Sequence, residues 1–416
     1  MTVTAYLNAR LIDPVDGLDM RGALLVEDGR IVERVADTAI PAHAERIDCG
    51  GHVLCPGLVD MRSFEVDKSA AVAGGITTVA LMPDQSPPID SAAMVDHMAA
   101  PDGLPGGPRL RPMGAATQGL AGDAMAEIGL MAEAGAVAFT DGRRAIANTQ
   151  MMRRLLEYLR LFDALLVQHA EDPGLATGGV MAEGETATRL GLQGIPDAAE
   201  AIMIERDARL VDLTGGRLHV GQLTTRLGID ALRRLKANGR ALTAGVSPQY
   251  FTLNDTAVGD YRTFARVSPP LRPEADRADL VEAMREGVVD VICSSHEPRD
   301  QDAKRQPFTE AAAGIVGHET LLPLSLALCH NHGLPLIDLL AMLTCNPARL
   351  LGLDAGTLRP GAPADLLVFD PDRPWRIDPE RFHSRTQNTP FEGLPVQGMV
   401  LRTVVGGRTV FKEDSP

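Results

Sequence analysis

Residues 56–83 read PGLVDMRSFEVDKSAAVAGGITTVALMP. Pro56-Gly57 makes a turn that feeds a buried apolar strand reaching Asp60. Ala73-Gly74-Gly75 ends a helix, and the β-branched run Ile76-Thr77-Thr78-Val79 opens the next strand. Strand, helix, strand is the parallel βαβ unit. Repeated eight times it closes a barrel, whose ligands and catalytic groups sit just past the strand ends. Here that place is held by Arg62-Ser63-Phe64, followed by barely enough chain for one helix.

Outward from this stretch the alternation continues to about residue 350. GITTVALMP, GAVAFTD, ALLVQHAED, RLHVGQLTT, RALTAGVSP and VVDVICSSHEP read as strands. NTQMMRRLLEYLRLF and IDALRRLKANG carry apolar residues at spacings of three and four and read as helices. Continuous apolar strands between helices predict a parallel sheet covered on both faces, and about eight units predict a distorted (β/α)8 TIM barrel. A doubly wound sheet is the alternative, but no GxGxxG follows a strand. Both ends of the chain are richer in hairpins. ALLVEDGRIVERV breaks at Asp28-Gly29, and ADLLVFDPDRPWRI and GMVLRTVVGGRTVFK turn at Asp-Pro and Gly-Gly. The expected division is 1–55 plus 350–416 as a small β-sandwich and 56–349 as the barrel.

The chain has 416 residues, 45% apolar and 23% charged, which suits a large globular core. Aromatics are only 4%, with one Trp, so that core rests on aliphatic residues and 16 Met. A net charge of −15 argues against nucleic acid, which demands a basic face. No run of about 20 apolar residues is present, so no membrane span is expected. Cys49, Cys55, Cys293, Cys329 and Cys345 form no CxxC pair. With no secretory signal at the N-terminus, they are expected as reduced thiols in a cytoplasmic protein.

Polar residues gather where the strands end: Asp60, Asp84, Thr140-Asp141, His169 to Asp172, Gln222, Gln249 and Ser295-His296-Glu297. A metal-assisted hydrolase would place several imidazoles and carboxylates there, and the count falls short. His169 reads equally as a ligand or as a hydrogen-bonded strand-end residue. His219 reads as a core histidine, and alternation sets Gln222 on the opposite face, so only one of the two is expected to point inward. His330-Asn331-His332 precedes Gly333, a helix C-cap setting. Glu183, Glu185 and Arg189 read as a loop and a solvated helix start.

At these residues the sequence resembles the dihydroorotases of pyrimidine biosynthesis, members of the cyclic amidohydrolase superfamily. PGLVDM, AAVAGGITTVALMP, FDALLVQHAEDP, GIPDAAEAIMIERD, PPLRPEADR, GIVGHETLLPLSL, NPARLLGL, GTLRPGAPADLLVFDP and FHSRTQNTPFEG carry the resemblance almost end to end. It implies the same barrel and sandwich, but the site departs from the pattern. The family's His-x-His pair and the arginine after it are missing from Met61-Arg62-Ser63-Phe64, where about a dozen residues are deleted. By resemblance Asp141, His169 and Gln222 occupy metal positions, Gln222 in place of a histidine. Ser295 stands for the catalytic aspartate. Arg299 replaces a substrate-contacting histidine, Asp84 and Ser268 replace substrate asparagines, and Ala313-Gly314 keep only backbone contacts.

The expectation is therefore a dihydroorotase homologue with no catalytic residue, no metal and no cofactor, retained as a structural or regulatory chain. The resemblance points to the catalytic chain of aspartate transcarbamoylase as its partner, within an oligomer. The competing expectation is a working cyclic amidohydrolase with a reduced or rebuilt zinc site, acting on dihydroorotate or another cyclic amide. A protein binding a small molecule in the barrel mouth is the third.

Overall fold

The structure, a computed structural model, describes residues 3–36 and 40–413. Among them, eight parallel segments follow one another around a ring: Leu58–Ser63, Ile76–Leu81, Arg109–Pro112 continued by Gly114–Ala115, Phe139–Thr140, Leu165–Gln168, Arg217–Val220, Leu242–Val246 and Val291–Ile292. Between the last and the first, a parallel bridge joins Ser63 to His296, with Phe64 N donating to His296 O at 2.9 Å. This is the expected distorted (β/α)8 barrel.

The barrel interior is aliphatic and rich in sulfur. Met61, Ala80, Met82, Met113, Leu165, Val167, Val291 and Cys293 pack together, and Leu350 and Leu351 join the same cluster. Methionine adapts to such irregular space where aromatics are scarce. Helices cover the outside. Thr149–Leu159 starts at Asn148, whose side chain accepts from Gln150 N and Met151 N, and it buries Met151, Met152, Leu155, Leu156 and Leu159. Leu321–His332 ends at Gly333 with φ of 71°, which places His330 and His332 in the last turn.

The two ends of the chain share one eight-stranded sheet. Leu366–Arg376 runs antiparallel to Val53–Pro56, which lies beside Val3–Asp13. Tyr6, Leu11, Leu24, Ile31, Leu54, Leu366 and Val404 form its core. The hairpin between Leu18–Glu27 and Arg30–Val35 turns through Asp28 and Gly29, at φ of 49° and 78°. Two positive φ values are what a tight primed turn requires.

The stretch after Asp60 forms a helix of six residues, Lys68–Ala73, capped by Asp67. Gly74 ends it against the backbone of His318: a Cβ there would lie 2.1 Å from His318 O.

Candidate functional site at the barrel mouth

Gln222 lies at the mouth. Its Nε2 donates to Ser247 Oγ and Ser295 Oγ, both at 2.7 Å, and the two hydroxyls lie 2.8 Å apart. Cys293 Sγ sits 3.4 Å from Ser247 Oγ. Ser295 holds φ at 47°, an uncommon conformation for a residue with a side chain. Its Oγ is thereby committed to this cluster. Asp60 turns away from the cluster, accepting Ser294 N at 2.8 Å and also Ser294 Oγ.

One expectation fails here. His219 and Gln222 both face inward, because the strand Arg217–Val220 ends two residues before Gln222 and alternation no longer applies. His219 lines a small interior cavity and pairs through Nδ1 with Thr243 Oγ1 at 2.8 Å. Burial, then the charges of Lys236 and Arg62, push its pKa down to about 3, so it is a neutral core histidine.

Above the cluster, charged side chains span the mouth. The guanidinium of Arg143 lies 3.9 Å from the Phe64 ring centroid. It reaches Glu297 Oε1 through Nε at 2.7 Å and Nη2 at 2.6 Å, and Asp84 Oδ1 through Nη1 at 3.2 Å. Arg299 also pairs with Glu297, and its Nε donates to Ala313 O at 2.9 Å. The backbone of Gly314 is likewise engaged, its N with Arg266 O and its O with Asn388 Nδ2, both at 3.1 Å. Asp84, Arg299, Ala313 and Gly314 are thus bound to the protein's own groups.

Beside this bridge opens a cavity of about 510 Å³, with Asp141, Arg143, His169, Glu171 and Ser268 in its wall. Asp141 gives both oxygens to Thr117, accepting N at 2.9 Å and Oγ1 at 2.6 Å. Burial raises its pKa against those bonds. His169 Nε2 stands 3.8 Å from Glu171 Oε1, and its Nδ1 has no protein partner. Burial pushes Glu171 up, but His169 and then Arg272 outweigh it and hold the carboxyl below its usual range.

Behind the rim, His296 and His318 stack at 3.7 Å with rings 3° from parallel. His318 Nε2 lies 3.4 Å from Asp60 Oδ2, and His296 Nε2 lies 3.9 Å from Asp67 Oδ2. Burial, then the His318 charge, holds His296 well below its ordinary value. Asp67 Oδ2 also accepts Ser384 Oγ and Arg385 N at 3.0 Å, which ties the segment 384–388 to the short first helix.

The chain matches known proteins along nearly its whole length. A sequence profile of the amidohydrolase family covers residues 67–410. The dihydroorotase of Syntrophotalea carbinolica is 40% identical over 417 residues, covering 97% of this chain and 98% of that protein. The chain belongs to the amidohydrolase family. Within it, the dihydroorotase of Anaplasma phagocytophilum is 37% identical, over 99% of this chain and 95% of its own. The solved L-hydantoinase of Arthrobacter aurescens superposes with a TM-score of 0.87 at 27% identity, over 100% of this chain and 97% of its own. No helix of the described residues is long and apolar enough to cross a membrane.

In this amidohydrolase the donor set does not fit the zinc site that the resemblance implies. Asp141 and His169 share a cavity wall, but Asp141 faces Thr117 and Gln222 offers its neighbours an amide nitrogen. Among the described residues no three His, Cys, Asp or Glu side chains are grouped to hold a metal ion. Sequence reading missed Arg143, Glu297 as its partner, and His318. The available signal was a basic pair, Arg143-Arg144, following a strand end opposite two other strand-end carboxylates.

Proposed function

We propose that this amidohydrolase is a dihydroorotase homologue of pyrimidine biosynthesis that does not itself hydrolyse a cyclic amide, and that it serves as a structural or regulatory chain. The observation that carries the reading is the hydrogen-bonded Gln222–Ser247–Ser295 cluster, with Ser295 at the position of the catalytic aspartate. A hydroxyl committed to two neighbours is no general base at neutral pH. The Arg143 bridge to Glu297 and Asp84 supports the same reading, since it occupies the mouth with internal ion pairs. The proposed partner is the catalytic chain of aspartate transcarbamoylase, met in the cytoplasm. The net charge of −15 favours basic patches on that partner and makes their encounter salt-sensitive.

A second reading has its own support. Proteins 37–40% identical over nearly the full length are named dihydroorotase, and the cavity beside His169 and Glu171 is open. On that reading the protein converts dihydroorotate and N-carbamoyl-L-aspartate with a rebuilt site. Metal content and dihydroorotate turnover, measured on one purified sample, separate the two. Substoichiometric metal without turnover supports the first; stoichiometric metal with turnover overturns it. Deleting the gene should reduce transcarbamoylase activity or complex size without abolishing cellular dihydroorotase. A deletion strain rescued by dihydroorotate or orotate but not by carbamoyl aspartate would establish the enzyme instead.

A further inference from the structure

Arg62 carries a charge into the barrel with no counter-charge bound to it. The residue is 4% exposed, and its Nε and Nη1 make no hydrogen bond. Nη1 packs over Gly221, 3.0 Å from where a Cβ would stand, so a side chain at 221 would displace it. The guanidinium lies 5.0 Å from the Phe64 ring centroid, an attraction that compensates only in part for lost hydration. Arginine stays protonated at any ordinary pH, so it cannot escape the cost of burial by neutralising.

Its neighbours do not supply the missing charge. His219 is neutral, as shown above. Burial raises the Cys293 thiol to about 11 and pushes Tyr250 up as well, so neither is an anion near neutral pH. Asp60, two residues away, accepts the backbone N of Arg62 at 3.3 Å but no guanidinium N–H; its oxygens are committed to Ser294 N and Oγ, and it lies 3.4 Å from His318 Nε2. Arg62 lines an interior cavity of about 10 Å³ together with Met61, Met82, Val167, His219 and Cys293.

We propose that this cavity holds one monatomic anion, chloride under cellular conditions, against the Arg62 guanidinium. The size decides the class. A space of about 10 Å³ seats a single small sphere, which excludes phosphate, sulfate and carboxylates. Water would fit but would leave the charge uncompensated, whereas a halide, somewhat larger than water, pairs with the buried cation. The flexible thioethers of Met61 and Met82 allow the small expansion a chloride needs. The anion would fasten the first strand to the strand of His219 and to Gly221, and it acts whether or not the mouth performs chemistry.

The test uses the full chain. Crystals grown in sodium bromide should show an anomalous bromine peak touching Arg62 Nε and Nη1. Thermal melts at matched ionic strength should give a higher Tm in sodium chloride or bromide than in sodium gluconate. Above the dissociation constant the folded-to-unfolded ratio should rise about tenfold per tenfold increase in chloride. Arg62→Met should abolish the difference between the salts, and Arg62→Lys should retain part of it. If Arg62→Met does not fold, the bromide map of the unaltered protein decides alone. A bromine-free map with only water at Arg62, coincident melts in chloride and gluconate, or an undiminished chloride effect in Arg62→Met each overturns the proposal.

Discussion

Replacing Arg143 by alanine should loosen the barrel mouth by a predictable amount. Arg143 is half-buried and joins two nearly buried carboxylates, so its loss affects them unequally. Glu297 keeps Arg299, and losing one of two partners there should cost about 0.5–1 kcal/mol. Asp84 keeps only the backbone N of residue 143, at 3.1 Å to Oδ1, while its Oδ2 has no protein partner. Leaving that carboxylate underpaired costs about 1–2 kcal/mol, reduced where water enters. The lost stacking on Phe64 adds about 0.5–1 kcal/mol. Together these give about 2–4 kcal/mol. Unfolding a chain of this size carries an entropy of about 0.9 kcal/mol/K, so Tm should fall by about 2–4 °C. Scanning calorimetry at two salt concentrations measures it, and the deficit should shrink in high salt because the contacts are partly screened. A double-mutant cycle with Glu297→Gln should return a coupling of about 1 kcal/mol. A Tm within half of about one degree of the unaltered protein, with zero coupling, would show that the Arg143 bridge does not hold the mouth.

Three other outcomes follow from the same geometry. Gln222→His combined with Ser295→Asp should bind no stoichiometric zinc and restore no dihydroorotate turnover, because Arg62 and Phe64 still stand where the His-x-His pair is absent; turnover by this variant, assayed with added zinc, would refute the argument. His219 is held at about 3 in the folded state, far below the unfolded histidine value, so the unfolded chain binds the extra proton and stability falls as pH drops below about 6.5. Its share of that loss is about 1.4 kcal/mol per pH unit until the folded pKa is reached, and denaturant titrations from pH 7 to 5 should show a shallower fall in His219→Gln. Gly74→Ala would drive a methyl into His318 O, so a loss of about 3 kcal/mol is expected, read as an earlier urea midpoint.

The barrel was legible in the chain because local chemistry repeats along it. Apolar strands, helices with three-and-four spacing and turn residues such as Asp28-Gly29 each act over a few neighbours, and the sequence alone determined their order. The residue types Arg62, Gln222 and Ser295 were likewise legible in the chain, and the expectation that they replace groups of the dihydroorotase pattern rests on resemblance. What these side chains touch was decided only by tertiary structure. Alternation predicts side-chain direction within a strand but stops where the strand stops, so it misplaced Gln222 just past Val220. Arg143 meets Glu297 across 154 positions, and Asn388 reaches Gly314 across 74, separations at which no local periodicity carries information. The stacked His296 and His318 both lie past the last barrel strand, and the loop between them folds back through the His296–Ile315 bridge to bring the rings together. Buried charge makes the same point: whether Arg62 lies in water or in an apolar interior depends on the ring of strands around it, not on its neighbours in the chain.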